Sequence, residues 1–292
     1  MTTTPTHVLA GVGDASGAQG LVVCDWARWA ARRLQAPLEL MHVHEPQPDL
    51  APMADLSGAL GLDAREGLLR DLARLDEERE RLARSHTQDL LERLRERVAA
   101  HEPEGDSPVG TSQTTGDLIE RLEHRQPEVR LFVLGRRRLA TQPSGKLHLD
   151  HHLERAVRAL RQPVLVATSA FREPQRFAIA FDGSETGRRT VERIAASPLL
   201  RGLACHVLIV TSDTTKAAKE LTWAQQALAG FDITSVRLEG EPENALVAYL
   251  QLQGLDLLAM GAYGHSRMRH LILGSTTTTL LRTSPVPVLV IR

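Results

Sequence analysis

Read for hydrophobicity alone, the chain alternates short apolar runs with longer segments in which apolar residues recur every three or four positions. His7 to Val12, Leu38 to Val43, Leu131 to Leu134 and Pro163 to Val166 are runs of the first kind. Between the first two, Leu21, Val22, Trp26, Trp29, Ala30 and Leu34 wind round a segment from about Gln19 to Gln35. The runs predict strands and the winding pattern predicts a helix. Short strands alternating with helices predict βαβ units, a parallel sheet and right-handed crossovers.

The pattern then repeats. A strand from Arg176 to Phe181 leads into Asp182-Gly183-Ser184, a helix to about Ser197 and a strand from Ala204 to Val210. Leu257 to Gly261 echoes Leu131 to Gly135, and Pro287 to Val290 echoes Pro163 to Val166. The third strand and helix of each half are Ser107 to Ser112 with Thr115 to Glu123, and Asp232 to Leu238 with Glu243 to Leu252. The latter pair is joined by a Glu239-Gly240-Glu241-Pro242 turn. The fold class is therefore α/β, an internal duplication of two tandem five-stranded parallel-sheet domains. The expected domains are 1–168 and 175–292, with the join where Ser169, Arg172, Glu173 and Pro174 interrupt the apolar pattern.

The halves differ in length between matching landmarks. Asp14 to Gly135 spans 121 positions and Asp182 to Gly261 spans 79, so the first half carries about 42 extra residues. They fall within about 45–104: a connector bearing Pro46, Pro48 and Pro52, then a charged helical stretch from about Asp63 to Ala100. Leu68, Leu72, Leu75, Leu82, Leu91, Leu94 and Val98 form its stripe, with a break at Arg84 to Gln88. Ser85-His86-Thr87-Gln88 has capping-box spacing and predicts a kink or restart there. A long amphipathic helix lying on its own domain's sheet is the preferred reading. A coiled-coil seam would need a longer and more regular repeat.

Composition narrows the classes. At 292 residues, 42% hydrophobic and 24% charged, the chain has the make-up of a soluble globular protein. A net charge near −1 gives no general pull toward nucleic acid or anionic membranes, and 3% aromatics leaves few platforms for base stacking. Cys24 and Cys205 lie in separate halves within apolar segments, as small buried hydrophobes in a reducing compartment do. With neither a signal-peptide pattern nor a membrane-length apolar run, the expected location is the cytoplasm.

The chemistry gathers late in the chain. The strand ending Met260-Gly261 continues through Ala262-Tyr263-Gly264-His265, a basic spacer holding Arg267 and Arg269, and then Gly274-Ser275-Thr276-Thr277. Gly261 and Gly264 are free to adopt positive φ and to bring backbone N–H groups close to a ligand. Ser275 is a natural N-cap, and the helix it opens turns unpaired N–H groups toward an anion. Together these make a phosphate cradle.

This Gly-x2-Gly-x9-Gly-Ser spacing resembles the nucleotide-binding signature of the universal stress protein family, and the resemblance extends over nearly the whole chain as two such domains in tandem. It implies a Rossmann-like sheet, akin to the adenine-nucleotide α-hydrolases, with the ligand beyond the carboxyl ends of its strands. By the same resemblance Asp182 matches the acidic residue beside the nucleoside, and Val210 the residue whose backbone meets the adenine edge. Gly261, Gly264, Gly274 and Ser275 match the phosphate set, with Thr276 and Arg267 adjoining it. On its own chemistry Asp182 is equally a turn former or an N-cap. The first half departs from the pattern: Gly135 is followed by Arg136, Arg137 and Arg138, and no Gly-Ser follows at the family spacing. Asp14 is kept, and the half reads as degenerate for this nucleotide, its arginines left to attract some other anion.

Other patterns carry less. His148, His151 and His152 lack a matching carboxylate or cysteine set for a metal, and Gly145-Lys146 fails the P-loop pattern. His42 and His44 share a strand face with no evident partner. No catalytic residues are identified. The resemblance implies a stress-related regulatory protein that binds ATP with Mg²⁺ in its C-terminal half, with the last strands pairing the two halves and association of two chains left open. A nucleotide-free interaction module and a slow ATP or adenine-nucleotide hydrolase are the alternatives.

Overall fold

The computed structural model describes residues 6–13, 17–45, 62–100, 109–136, 151–168, 170–262 and 275–292. The first half runs β1 (His7–Gly11), α1 (Gly17–Leu34), β2 (Leu38–His44), α2 (Leu62–Ala99), β3 (Val109–Thr115), α3 (Leu118–Arg125), β4 (Val129–Gly135), α4 (His151–Ala159) and β5 (Val164–Ala167). The second repeats the order: β6 (Arg176–Ala180), α5 (Glu185–Ala196), β7 (Ala204–Val210), α6 (Thr214–Ala227), β8 (Ile233–Leu238), α7 (Pro242–Leu252), β9 (Leu257–Gly261), α8 (Ser275–Thr283) and β10 (Val288–Ile291).

All ten strands join one sheet in the order β3-β2-β1-β4-β5-β10-β9-β6-β7-β8. Within each half every pairing is parallel, whereas β5 and β10 meet antiparallel through Val164, Leu165 and Val166 opposite Val290, Leu289 and Val288. Each half is thus a five-stranded parallel sheet, and the two join through their last strands, as anticipated. Helices cover both faces. Val8, Ala10 and Val12 pack with residues of α1 and α2, while Leu9 packs with residues of α3 and α4. Coverage on both sides explains why the strands read as unbroken apolar runs rather than alternating ones. Among the described residues no helix is long and apolar enough to cross a membrane.

Three arginines tie the halves through main-chain carbonyls. Arg136 Nη1 donates to Leu281, Arg282 and Ser284 at the end of α8, at 3.2, 3.0 and 3.0 Å. Arg292 Nη1 donates to Arg158 O at the end of α4, at 2.8 Å. Arg33 donates to Leu199 O at 3.0 Å and to Arg201 O. Each guanidinium meets carbonyls left unpaired at the end of a helix or in a turn, where positive charge is also favoured. Arg136 therefore caps α8. The linker residue Phe171 meets Trp26 edge-on at 5.0 Å.

Several sequence expectations move. The third strand of the first half ends later and its helix begins later than predicted, because Gly116 turns the chain at φ +135° and Asp117 caps α3 by accepting from Ile119 and Glu120 N–H. Helix α6 was not anticipated; its Asp213 N-cap accepts from Lys216 N–H. Helix α2 occupies the same slot between the second and third strands and runs to 38 residues without interruption. No restart occurs at Ser85 to Gln88. Nor does all of α2 lie on the sheet: Thr87, Leu91, Leu94 and Val98 are buried, whereas the described side chains from Arg70 to Leu82 are exposed. His42 also gains a partner, its buried ring nitrogen lying 2.9 Å from Val12 O.

At the amino ends of the first-half strands Glu39 collects three partners. His7 Nε2 lies at 3.3 Å, Arg125 Nη1 at 2.9 Å and the Ser112 hydroxyl at 2.6 Å. His7 foremost, then Arg125 and Ser112, hold the Glu39 carboxyl far below the usual carboxylate range against the opposing effect of burial. A depressed folded pKa stabilises the fold above the unfolded value of about 4.3, and that contribution is lost as pH falls toward the folded value. Glu39→Gln is expected to cost about 1–3 kcal/mol at pH 7. In urea titrations across pH, its gap to the parent should shrink below about pH 4; a gap constant down to acid pH would contradict the assignment.

Candidate functional site

In the second half the sheet order reverses between β6 and β9: from β6 the chain proceeds outward to β7 and β8, then returns to the other side of β6. The carboxyl ends of these two strands form the switch point at which α/β sheets leave a crevice. The register sets Ala180 beside Met260, so the Asp182 turn and Gly261 leave the sheet side by side.

The Asp182 turn is built from local hydrogen bonds. Asp182 Oδ1 accepts the Ser184 N–H at 2.9 Å, Gly183 sits at φ +75°, and the Ser184 hydroxyl caps α5 by accepting the Gly187 N–H at 3.0 Å. Asp182 is thus a turn former, as its own chemistry suggested, yet its carboxylate stays exposed at the crevice. A side chain at Gly183 would run into Glu220, which is buried and paired with Arg188 at 2.7 Å. Arg188 in turn lies 4.4 Å from the centre of the Trp223 ring, which stacks on Phe181. Gly187 was not singled out in the sequence: a Cβ there would lie 2.6 Å from Asp182 Oδ1, so a glycine in the first turn of α5 is what lets the carboxylate rest against it. The only sequence signal is a glycine five positions after the aspartate.

Val210 ends β7. The ladder to β6 closes with Phe181 N–H donating to Leu208 O, and Thr211 N–H donates to Leu238 O on the other side. Main-chain groups alternate sides along a strand, so the Val210 N–H and C=O face the β6 side beyond the last ladder bond, toward the Asp182 turn.

Gly261 behaves differently from expectation. It is a strand residue paired with Ile291, and it is absent from the positive-φ glycines. Its Cβ position lies 2.9 Å from Thr190 Oγ1 and 3.2 Å from Thr186 Cγ2, so the glycine lets α5 pack against the end of β9. Gly135 stands in the same relation to Val23 and Gln19 of α1. Helix–strand packing therefore accounts for the glycine in both halves, including the one that has lost the rest of the motif. Ser275 is helical, the first described residue of α8, and exposed. The Thr276 hydroxyl is committed to Glu243 Oε1 at 2.8 Å, bridging α8 to the first turn of α7. Gly264, Arg267 and Gly274 lie outside the described residues, as do Arg137, Arg138, His148 and Gly145-Lys146.

The ladders also revise the match between halves. With Gly135 and Gly261 equivalent, the pairings Gly11 with Leu134 and Ala180 with Met260 make Gly13 the counterpart of Asp182. Gln19 and Val23 correspond to Thr186 and Thr190 by their contacts with those glycines. The first-half turn is therefore two residues longer, and Asp14, itself outside the described residues, is displaced by one position from Asp182. A slip of one residue redirects a side chain.

Cys24 and Cys205 are buried, and burial foremost pushes both thiols up to about 12, which leaves neither as a nucleophile. Among the described residues no group of three or more His, Cys, Asp or Glu side chains is placed to hold a metal. A shallow cavity of about 270 Å³ lies at the opposite edge of the sheet, around His7, Leu38, Glu39 and Gly110 in the first half. Its one carboxylate, Glu39, is already paired.

Comparison with known proteins places this geometry. Residues 212–292 match the universal stress protein family model. The chain is 32% identical over 272 residues to universal stress protein Slr1230 of Synechocystis, covering 91% of this chain and 93% of that one. It is 30% identical over 63 residues to universal stress protein MJ0577 of Methanocaldococcus jannaschii, 22% of this chain and 39% of the other. A universal stress protein from Archaeoglobus fulgidus shares the fold at a TM-score of 0.67 and 17% identity, over 97% of this chain and 98% of that one.

The Gly261 contact is testable by coupling. Gly261→Ala is expected to cost about 1–3 kcal/mol by overpacking against Thr190. Thr190→Ala should recover part of that cost, giving an interaction of at least about 0.5 kcal/mol in a double-mutant cycle of urea denaturation. Strict additivity would dissociate the glycine from helix packing.

Proposed function

The chain belongs to the universal stress protein family, and on that premise we propose that its C-terminal half binds an adenine nucleotide, ATP with Mg²⁺, at the β6–β9 switch point. The observation that carries this reading is the exposed Asp182 carboxylate at the carboxyl end of β6, beside the Val210 main-chain groups at the end of β7. The peptide groups suit a base edge, which needs one donor and one acceptor. The carboxylate suits ribose hydroxyls, for which it is an acceptor only. The start of α8 at Ser275, with Gly264, Arg267, Gly274 and Thr276 around it, is assigned to the phosphates, where helix N–H groups and basic charge favour an anion. With its hydroxyl held by Glu243, Thr276 would contribute through its backbone N–H. Mg²⁺ would screen phosphate charge.

The role proposed for the nucleotide is that of a ligand favouring one conformation or assembly over another, as a stress-responsive regulator requires. Turnover is not part of the reading. The first half is assigned no equivalent site. Gly13 supplies no carboxylate at the ribose position, and Arg136 is spent on the end of α8.

Nucleotide content tests the proposal directly. Freshly purified protein, denatured and analysed by anion exchange, is expected to release about one ATP per chain, and G264R/G274D none. In excess MgATP at about 100 times the dissociation constant, the parent should gain roughly 2.7 kcal/mol of stability. Absence of both effects would favour a nucleotide-free interaction module, and two ATP per chain would restore a site to the first half. Phosphate release at a sustained rate would point to a hydrolase. Gly187→Ala, which displaces the Asp182 carboxylate at the end of a flexible side chain, should weaken nucleotide binding about tenfold, or about 1.4 kcal/mol, while changing stability by less.

A further inference from the structure

Two of the three large hydrophobic side chains exposed among the described residues lie on the free half of α2. Leu75 is 54% exposed and Leu82 is 56% exposed. They are seven residues apart, so they share a face, and the positions between them on that face are Glu78 and Arg79. At about 100° per residue this face lies roughly 130° round the helix from the one that buries Thr87, Leu91, Leu94 and Val98. The described part of the protein's own body therefore does not cover it.

The face reads Leu-x2-Glu-Arg-x2-Leu, a palindrome in chemistry. Laid against a second copy of itself running the other way, with the two-fold axis between positions 78 and 79, Leu75 meets Leu82 of the other copy. Glu78 then meets Arg79 in both directions. One turn further out, the exposed Asp71 meets the exposed His86. Pairing in the parallel sense would instead set Glu78 against Glu78 and Arg79 against Arg79. We propose that this half of α2 is a self-recognition surface, through which two copies of the chain associate as an antiparallel helix pair. The interface is isologous, the commonest kind in soluble assemblies. Opposite charges flanking an apolar seam are what select orientation between paired helices. Each body begins where its own helix becomes buried, near Thr87, on the far side of the axis from the other. Glu78 also lies 3.7 Å from Arg74 of its own helix, both well exposed, which leaves it able to change partner.

Sedimentation velocity of the full chain at concentrations up to about 100 μM tests this. A concentration-dependent dimer is expected. Leu82→Ser should abolish it, and E78R should weaken it at least tenfold. The double swap E78R/R79E should return it to within about threefold of the parent, since opposite charges again face each other across the axis. These positions are exposed, so far-UV circular dichroism should be unchanged. A monomer at every concentration, a dimer indifferent to Leu82→Ser and E78R, or a loss on E78R that the swap does not restore would each overturn the proposal.

Discussion

The sheet is covered on both faces, and most of what is distinctive in this chain follows from that constraint. A strand such as β1 must present Val8 and Ala10 to one helical layer and Leu9 to the other, so the positions between its ends are closed to polar chemistry. Polar groups are driven to the two ends of the strands. The carboxyl ends hold the Asp182 turn and the Val210 main chain. The amino ends hold the Glu39 cluster in the first half, and at the same ladder position in the second a different pair, His206 with the Tyr249 hydroxyl at 3.0 Å. Burial foremost, then Arg176, lowers the basicity of His206. Duplication kept the location and changed the group.

The same close covering limits how sequence reports on function. The repeat and the parallel halves were legible, because apolar runs carry them, and the meeting of the last strands followed from the family resemblance. The strand order and the antiparallel sense of that meeting come from the structure. Gly261 was legible as a required glycine, but its role in helix packing was not. Only the placement of Thr186 and Thr190 beside it shows that helix packing demands it, and Gly135 carries the same requirement where the phosphate signature is gone. Asp14 looked like the twin of Asp182 because both are aspartates beside a first strand. Their difference appears only in the ladders, which are long-range pairings that no local pattern encodes. Gly187 escaped notice for a similar reason, its role depending on how a carboxylate folds back onto a helix. In α2 the periodicity located the helix well, yet its described leucines belong to two faces, of which only one packs on the described body.

Charge is used mainly to hold elements in place rather than to create a field. Arg33, Arg136 and Arg292 each reach from one half to main-chain carbonyls of the other, where hydrogen bonds with an ionised donor are stronger than neutral ones. Arg136 follows Gly135 directly, so the first half's would-be ligand loop is anchored at its root to the second half's last helix.

The antiparallel seam between β5 and β10 has a kinetic meaning as well. Where two separate subunits meet through such strands, dilution can part them and a subunit can trade partners with another copy. Here one covalent chain supplies both strands, so each half is born beside its mate at a local concentration that dilution cannot lower. No unlike subunit can enter the seam, and the halves are never required to be interchangeable. One turn could lengthen by two residues and one helix could grow to 38 without any need for the other half to follow. The asymmetry of this molecule is a freedom that permanent pairing confers.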